Sequence, residues 1–194
     1  MRLPTITDDT TDPKARAVLD EIRAKRGYVS NALRSMAHSP DLLRAFLGVG
    51  TYVKFGSSLS WRARELVIMT AGRKVDYEWK HHYPLAIDAG VPAEALEDIH
   101  AGRMPHALPA SERALVNATI EMFAPNSISD ETFTALAEHW TPHQIVDMLV
   151  TAVYYQSVAV IATALHVELE DDQNIFATER AWQKPMVDAQ SSAS

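Results

Sequence analysis

Eighteen consecutive residues, Met148 to Leu165, carry no charge at all, and they follow directly on Asp147. Thr141-Pro142 stands ahead of them as an N-cap and first-turn proline, so the segment reads as the longest helix of the chain, running to about Leu169. Thr151, Tyr154, Tyr155, Gln156, Ser157 and Thr163 interrupt its apolar character. Those polar groups would be costly in hydrocarbon, and no second span or flanking charge asymmetry supports insertion. A helix apolar nearly all round is instead expected at the centre of a helical core or at a contact between subunits.

The rest of the chain is punctuated in the same way. Asp12-Pro13 launches a helix with Ala15, Val18, Leu19 and Ile22 on one face, up to Gly27. Ser39-Pro40 starts the next, Ser60 precedes one from Trp61 to about Arg73, and Pro92 opens a short one that closes near Gly102. Pro109 or Ser111 begins another that stops before Pro125, and Ser129-Asp130 caps the one after it. No stretch alternates cleanly enough to argue for a sheet. The expected class is all-α.

Asp76-Tyr-Glu-Trp-Lys-His-His82 opens a further amphipathic helix, with Asp76 expected to cap its first turn and Gly90 to stop it. On that helix Glu78 and His82 stand one turn apart, with Cβ atoms roughly 5–6 Å from each other. A carboxylate and an imidazole so placed can share a proton, the minimum equipment for general acid–base chemistry. A solvated surface pair is the plain alternative. His81 lies about 100° around the helix from His82, so one of the two is expected to face a pocket and the other solvent or a neighbouring subunit. Tyr77 and Trp79 can wall a pocket. Arg73, Lys74 and Lys80, close by in sequence, are candidates for holding an anionic group, Arg73 first among them. Glu78-x-x-His81 has the spacing used in di-iron bundles, but such sites need a second copy and bridging glutamates, which the chain does not supply. No metal and no cofactor are expected.

Trp61-Arg-Ala-Arg-Glu-Leu-Val-Ile68, followed by Tyr77-Glu-Trp79, His82, Ala86 and Ala89-Gly-Val-Pro92, resembles the carboxymuconolactone decarboxylase family, which includes the alkylhydroperoxidase D-like proteins. The resemblance covers roughly residues 35–170. Redox members carry a Cys-x-x-Cys motif with a histidine after it. Alignment of that histidine with His82 puts Glu78 at the second cysteine and Val75 at the first. The chain has no cysteine anywhere, so the dithiol is absent and thiol peroxidase activity is disfavoured. The resemblance further implies an alkylhydroperoxidase D-like helical fold, oligomers, an inward-facing His82, and a role for Glu65 in a proton relay with it. The spacing from Glu65 to the motif is shorter here than in the family, and a surface pair between Arg62 and Glu65 is the alternative.

A faint internal repeat runs through this region. Leu59 to Val67 echoes Leu108 to Val116, and Val91-Pro92 echoes Thr141-Pro142, which divides the helices into units of about 35–102 and 103–170. The second unit lacks the Tyr-Glu-Trp-x-x-His element. One domain over 1–183 and a disordered tail over 184–194 are expected. A net charge of −7 and a pI near 5.6 offer no basic footprint for nucleic acid or anionic membrane. The N-terminal residues show no apolar signal-peptide core, making the cytoplasm the expected compartment. The functional expectation is a cofactor-free, carboxymuconolactone decarboxylase-like lyase of small carboxylated or lactone-type substrates, using Glu78, His82 and Glu65 and self-associating as a dimer, trimer or hexamer. The alternative is a non-catalytic oligomeric protein that binds small molecules on the same scaffold.

Overall fold

The computed structural model describes residues 1–171 and Ala181. The tail expected over 184–194 lies outside the described residues. Within them the chain is helical: α1 Pro13–Arg26, α2 Asn31–Met36, α3 Pro40–Phe55, α4 Trp61–Gly72, α5 Asp76–Asp88, α6 Ala93–His100, α7 Ala110–Glu121, α8 Asp130–Ala137 and α9 Pro142–Leu165. Most starts are set by side-chain caps. Asp12 accepts from the Lys14 and Ala15 amides, Ser60 from Ala63, Ser129 from Thr132, and Thr141 forms a reciprocal capping box with Gln144. α2 was not foreseen; it is a single six-residue stretch capped by Ser30, too short to show a periodic apolar face. Asp76 does not cap α5: Val75 takes the cap position, while Asp76 lies in the first turn and pairs with Lys80.

α4 and α9 form the centre of the bundle. Every residue of α4 from Ala63 to Gly72 is buried, because α5, α6, α7 and α9 surround it. α9 packs against α2, α3, α4, α5, α7 and α8, burying Met148, Ala152, Tyr154, Tyr155, Ala159 and Ala162. It ends at Leu165 rather than near Leu169, since His166 turns into the left-handed region (φ 52°, ψ 49°) and reverses the chain. The helix is not buried all round. Val146, Val150, Val153 and Val160 leave an exposed apolar stripe on its outer side. α4 and α7, whose sequences echo one another, pack side by side.

α3 approaches α9 closely at Gly50, where an added Cβ would overlap the Tyr154 hydroxyl and ring. Phe46 stacks on the same ring at 4.6 Å between centroids. Gly50 therefore fixes how deeply Tyr154 reaches toward α3.

The loop from α3 to α4 is anchored by one buried carboxylate. Asp147, on α9, accepts hydrogen bonds from the Ser58 amide (2.6 Å), the Ser58 hydroxyl (2.7 Å) and the Tyr52 hydroxyl (2.9 Å). Burial pushes its carboxyl upward, but the hydrogen bonds from Ser58 and Tyr52 outweigh this and hold it below the ordinary carboxylate range. A carboxyl depressed in the folded state stabilises the fold fully above its unfolded pKa, and that stabilisation is lost as pH falls through the folded value. Asp147→Asn should lower unfolding free energy at pH 7 by about 2 kcal/mol, because charge-assisted acceptance is lost. Its urea-unfolding stability should also fall less steeply below pH 4 than that of the wild type; equal slopes would remove Asp147 from the acid response.

Candidate active site

α5 lies between α4 and α9, and this placement turns an unusually wide arc of it inward. Tyr77 and His81 form one i,i+4 row, Glu78 and His82 the next, and all four side chains are buried. Glu78 is 3% exposed and both histidines 5%, so neither member of the His81-His82 pair meets solvent as one was expected to. The two adjacent rows span about 140° of the helix, an arc that burial on two sides of α5 can accommodate. The close approach of α4 and α5 is permitted by Gly72, where a Cβ would come within 2.8 Å of the Glu78 Cβ.

Two hydrogen-bonded systems meet on this face. In the first, the Trp61 indole N–H donates to Glu65 Oε1 (3.2 Å), and Glu65 Oε2 lies 2.9 Å from His82 Nδ1. Glu65 is 1% exposed, on α4. An ionised carboxylate only accepts, so the Glu65 contact assigns the proton to Nδ1 and leaves His82 Nε2 as the working nitrogen. Nε2 faces Glu78 Oε2 at 3.8 Å, beyond direct hydrogen-bonding distance but within ion-pair range. The His82 and Tyr155 rings meet edge to face, 4.9 Å between centroids, fixing the imidazole plane from the α9 side. Arg62 does not form the surface pair with Glu65 weighed from the sequence. It makes a two-point contact with Glu112 on α7, at 2.6 and 2.9 Å.

The second system was not anticipated. Beyond α9 the chain returns across α2 and brings Glu170 to the site. Glu170 Oε1 accepts from the Tyr77 hydroxyl (2.8 Å) and the Asn31 amide (2.6 Å), while Oε2 lies 3.6 Å from His81 Nδ1. Burial pushes the Glu170 carboxyl up, but His81 and the Asn31 amide bring it below the usual range. The Tyr77 hydroxyl also accepts from the Ala32 amide at 3.2 Å, and burial pushes this phenol well above its ordinary range. Tyr77 thus ties the returning segment to α2. The same segment is held from the other side by the Met1 ammonium on Glu168 (3.3 Å) and the Arg2 amide on the Leu165 carbonyl (2.7 Å).

A cavity of about 50 Å³ opens beside Glu78, His81 and His82. That volume exceeds the roughly 10–15 Å³ that one water requires, and it fits a few waters or one small functional group. Its far wall is formed by Arg26, Tyr28 and Lys54, with Tyr154 from α9. Glu65 stands behind His82 rather than on the cavity surface. Two expected contacts are absent. Trp79 points away from the cavity into the α6 side of the core, against His100 at 4.4 Å, because it lies on the opposite face of α5. Arg73 folds back on the Thr70 carbonyl at the end of α4 and does not line the cavity. Lys54 and Arg26 stand where Arg73 was expected. The sequence does hold a signal for Lys54: it falls on the stripe Leu43, Leu47, Gly50, Lys54 of an otherwise apolar face. Among the described residues, no three His, Asp or Glu side chains are grouped so as to hold a metal ion.

These elements occupy a segment with known relatives. Residues 40–121 match the carboxymuconolactone decarboxylase family. The family segment runs from α3 to α7 and holds Lys54, Glu65 and the whole inward face of α5. The complete fold is that of the alkylhydroperoxidase AhpD core. A peroxidase-related protein from Ralstonia eutropha JMP134 superposes with a TM-score of 0.74 at 20% identity, covering 92% of this chain and 96% of that one. A peroxidase-related protein from Silicibacter sp. TM1040 gives 0.70 at 20% identity over 87% and 93% of the two chains. The debrominase Bmp8 gives 0.71 at 16% identity over 92% and 97%. At such identities the likeness establishes the fold. No curated protein matches the chain.

The Gly72 contact gives a direct test of site construction. Gly72→Ala should destabilise the protein by about 1–3 kcal/mol in chemical unfolding, as overpacking does, by forcing α5 away from α4 at Glu78. Unchanged stability would show that the two helices part easily.

Proposed function

We propose that this chain is a cofactor-free, carboxymuconolactone decarboxylase-like enzyme in which His82 moves a proton on a small carboxylated or lactone-type substrate. The observation that carries the reading is the buried Glu65–His82 contact of 2.9 Å, which leaves Nε2 directed toward Glu78 beside a cavity. Glu65 fixes the imidazole tautomer and supports positive charge on the ring, much as a carboxylate does for histidine in hydrolytic triads. In a decarboxylation, the bond to the carboxyl carbon breaks, carbon dioxide leaves, and the electron pair delocalises into a conjugated carbonyl. With its ring protonated at both nitrogens, His82 gives its Nε2 proton to that carbon and becomes neutral, and Glu78, 3.8 Å from Nε2, is placed to relay a proton from solvent back to the ring. The absence of cysteine leaves no thiolate for peroxide chemistry.

The reading is tested with a panel of small carboxylated lactones, following carbon dioxide release and deuterium uptake from heavy water at the protonated carbon. His82→Asn and Glu78→Gln should each lower turnover by roughly 10²–10⁴-fold, the usual contribution of a positioned acid or base. The double variant should be little worse than either single one, as for residues acting as a unit. Turnover of a panel member that survives both substitutions would overturn the assignment. Loss of turnover across the panel in the wild type, with ligand still bound, would favour the non-catalytic binding reading.

Self-association belongs to the same proposal. The exposed stripe of Val146, Val150, Val153 and Val160 continues into apolar grooves lined by Phe46 and Val49 on one side and Phe123 on the other. A contiguous apolar surface of this kind marks an interaction site. A second copy of the chain should cover it. Sedimentation at micromolar concentration should give a dimer, trimer or larger closed ring, and Val153→Lys should shift it toward monomer. A wild-type monomer of 21.5 kDa throughout that range would contradict this.

A further inference from the structure

The cavity has two chemically different walls. One is the acid–base face of α5. The other brings together Lys54 from α3, Arg26 from the last turn of α1, and the Tyr28 and Tyr154 side chains. Lys54 is only 4% exposed, an uncommon situation for a lysine and one that requires polar company. The Arg26 guanidinium is close enough to the Tyr154 hydroxyl to oppose the upward push that burial exerts on this phenol. Its Nη2 is nevertheless buried with no hydrogen-bond partner among the described residues. A buried donor of a permanently charged group left in this state calls for an acceptor.

Charge points the same way. Of the residues lining the cavity, Arg26 and Lys54 are cationic and Glu78 alone is anionic, with the histidines counted as neutral. The two further carboxylates of the site do not line the cavity and are hydrogen-bonded elsewhere, Glu65 by Trp61 and His82, Glu170 by Tyr77 and the Asn31 amide. Among the residues that line the cavity, cations thus outnumber anions by one, and both cations, on α1 and α3, stand together with Tyr154.

We propose that Arg26 and Lys54 form an anion subsite that takes one carboxylate or oxyanion of the ligand, opposite the reactive face of His82. Arg26 offers its unpaired N–H and Lys54 a point charge, so the subsite selects a monoanion over its neutral isostere. The inference rests on the proposed function for its use: a ligand anchored at α1 and α3 presents its remaining carbon framework toward His82 Nε2. It also specifies what the family segment alone does not contain, since Arg26 lies outside residues 40–121.

The test uses binding, not turnover. 2-Furoate, a small flat monoanion, and furan-2-carboxamide, its neutral isostere, are titrated into the full-length protein by ligand-observed NMR and calorimetry. The wild type should bind 2-furoate at least tenfold more tightly than the amide. Arg26→Gln and Lys54→Met should each weaken 2-furoate at least tenfold and leave amide binding unchanged. Should Lys54→Met unfold, Arg26→Gln, at a half-buried residue near the end of α1, still decides the matter. Equal affinity for the two probes, or full 2-furoate affinity in Arg26→Gln, overturns the subsite even if lactone turnover is found. Anion-selective binding that depends on Arg26 upholds it even if no lactone is turned over.

Discussion

The arrangement depends on one contact between neighbouring helices, the hydrogen bond from His82 on α5 to Glu65 on α4. A carboxylate that is 1% exposed on the central helix of a bundle is costly unless it is fully hydrogen-bonded. Trp61, one turn earlier on α4, and His82 supply those bonds, so the polar interior of the site is also the seam between α4 and α5. Everything else in the site is placed relative to that seam. Gly72 lets the two helices approach, Tyr155 backs the imidazole, and Glu78 is carried to the cavity by the same turn of α5. Replacing either partner of the Glu65–His82 contact would strand the other in the core, which is why stability and chemistry are hard to separate at this position.

Much of the fold was legible in the sequence because its helices are started by residues that act locally. Asp12-Pro13, Ser60, Ser129 and Thr141-Pro142 cap helices through their own side chains and backbone restrictions, with no help from tertiary structure. What failed was non-local. α2 is too short to carry a period, α9 stops where His166 adopts a left-handed conformation, and Asp76 loses its cap position to Val75. None of these is encoded in apolar spacing.

The site divides along the same line. Glu78 and His82 are visible as a pair because i,i+4 geometry is a property of one helix. The inward turn of His81, the outward turn of Trp79 and the retreat of Arg73 all depend on which neighbours surround α5, and sequence spacing does not carry that information. Glu170 was beyond reach for a stronger reason. It lies in an acidic stretch that reads as solvated, and its partners are 93 residues away at Tyr77 and 139 away at Asn31. Lys54 was within reach, since a charge on an apolar stripe is a local anomaly, and it marked the wall opposite His82.

The returning segment has a consequence for how the site comes into being. During synthesis α4 and α5 emerge early, and their contact needs only sequence-near partners, so the Glu65–His82 half of the site can form before the chain is finished. The Tyr77–Glu170 half joins residues far apart in sequence, and such contacts are slow because long loops must close before they gain any energy. Until residue 170 leaves the ribosome and docks beside Asn31, His81 faces the interior without its carboxylate. A nascent chain would therefore hold a half-built cavity, with the complete set of charges arriving only when the last stretch of backbone settles over α2.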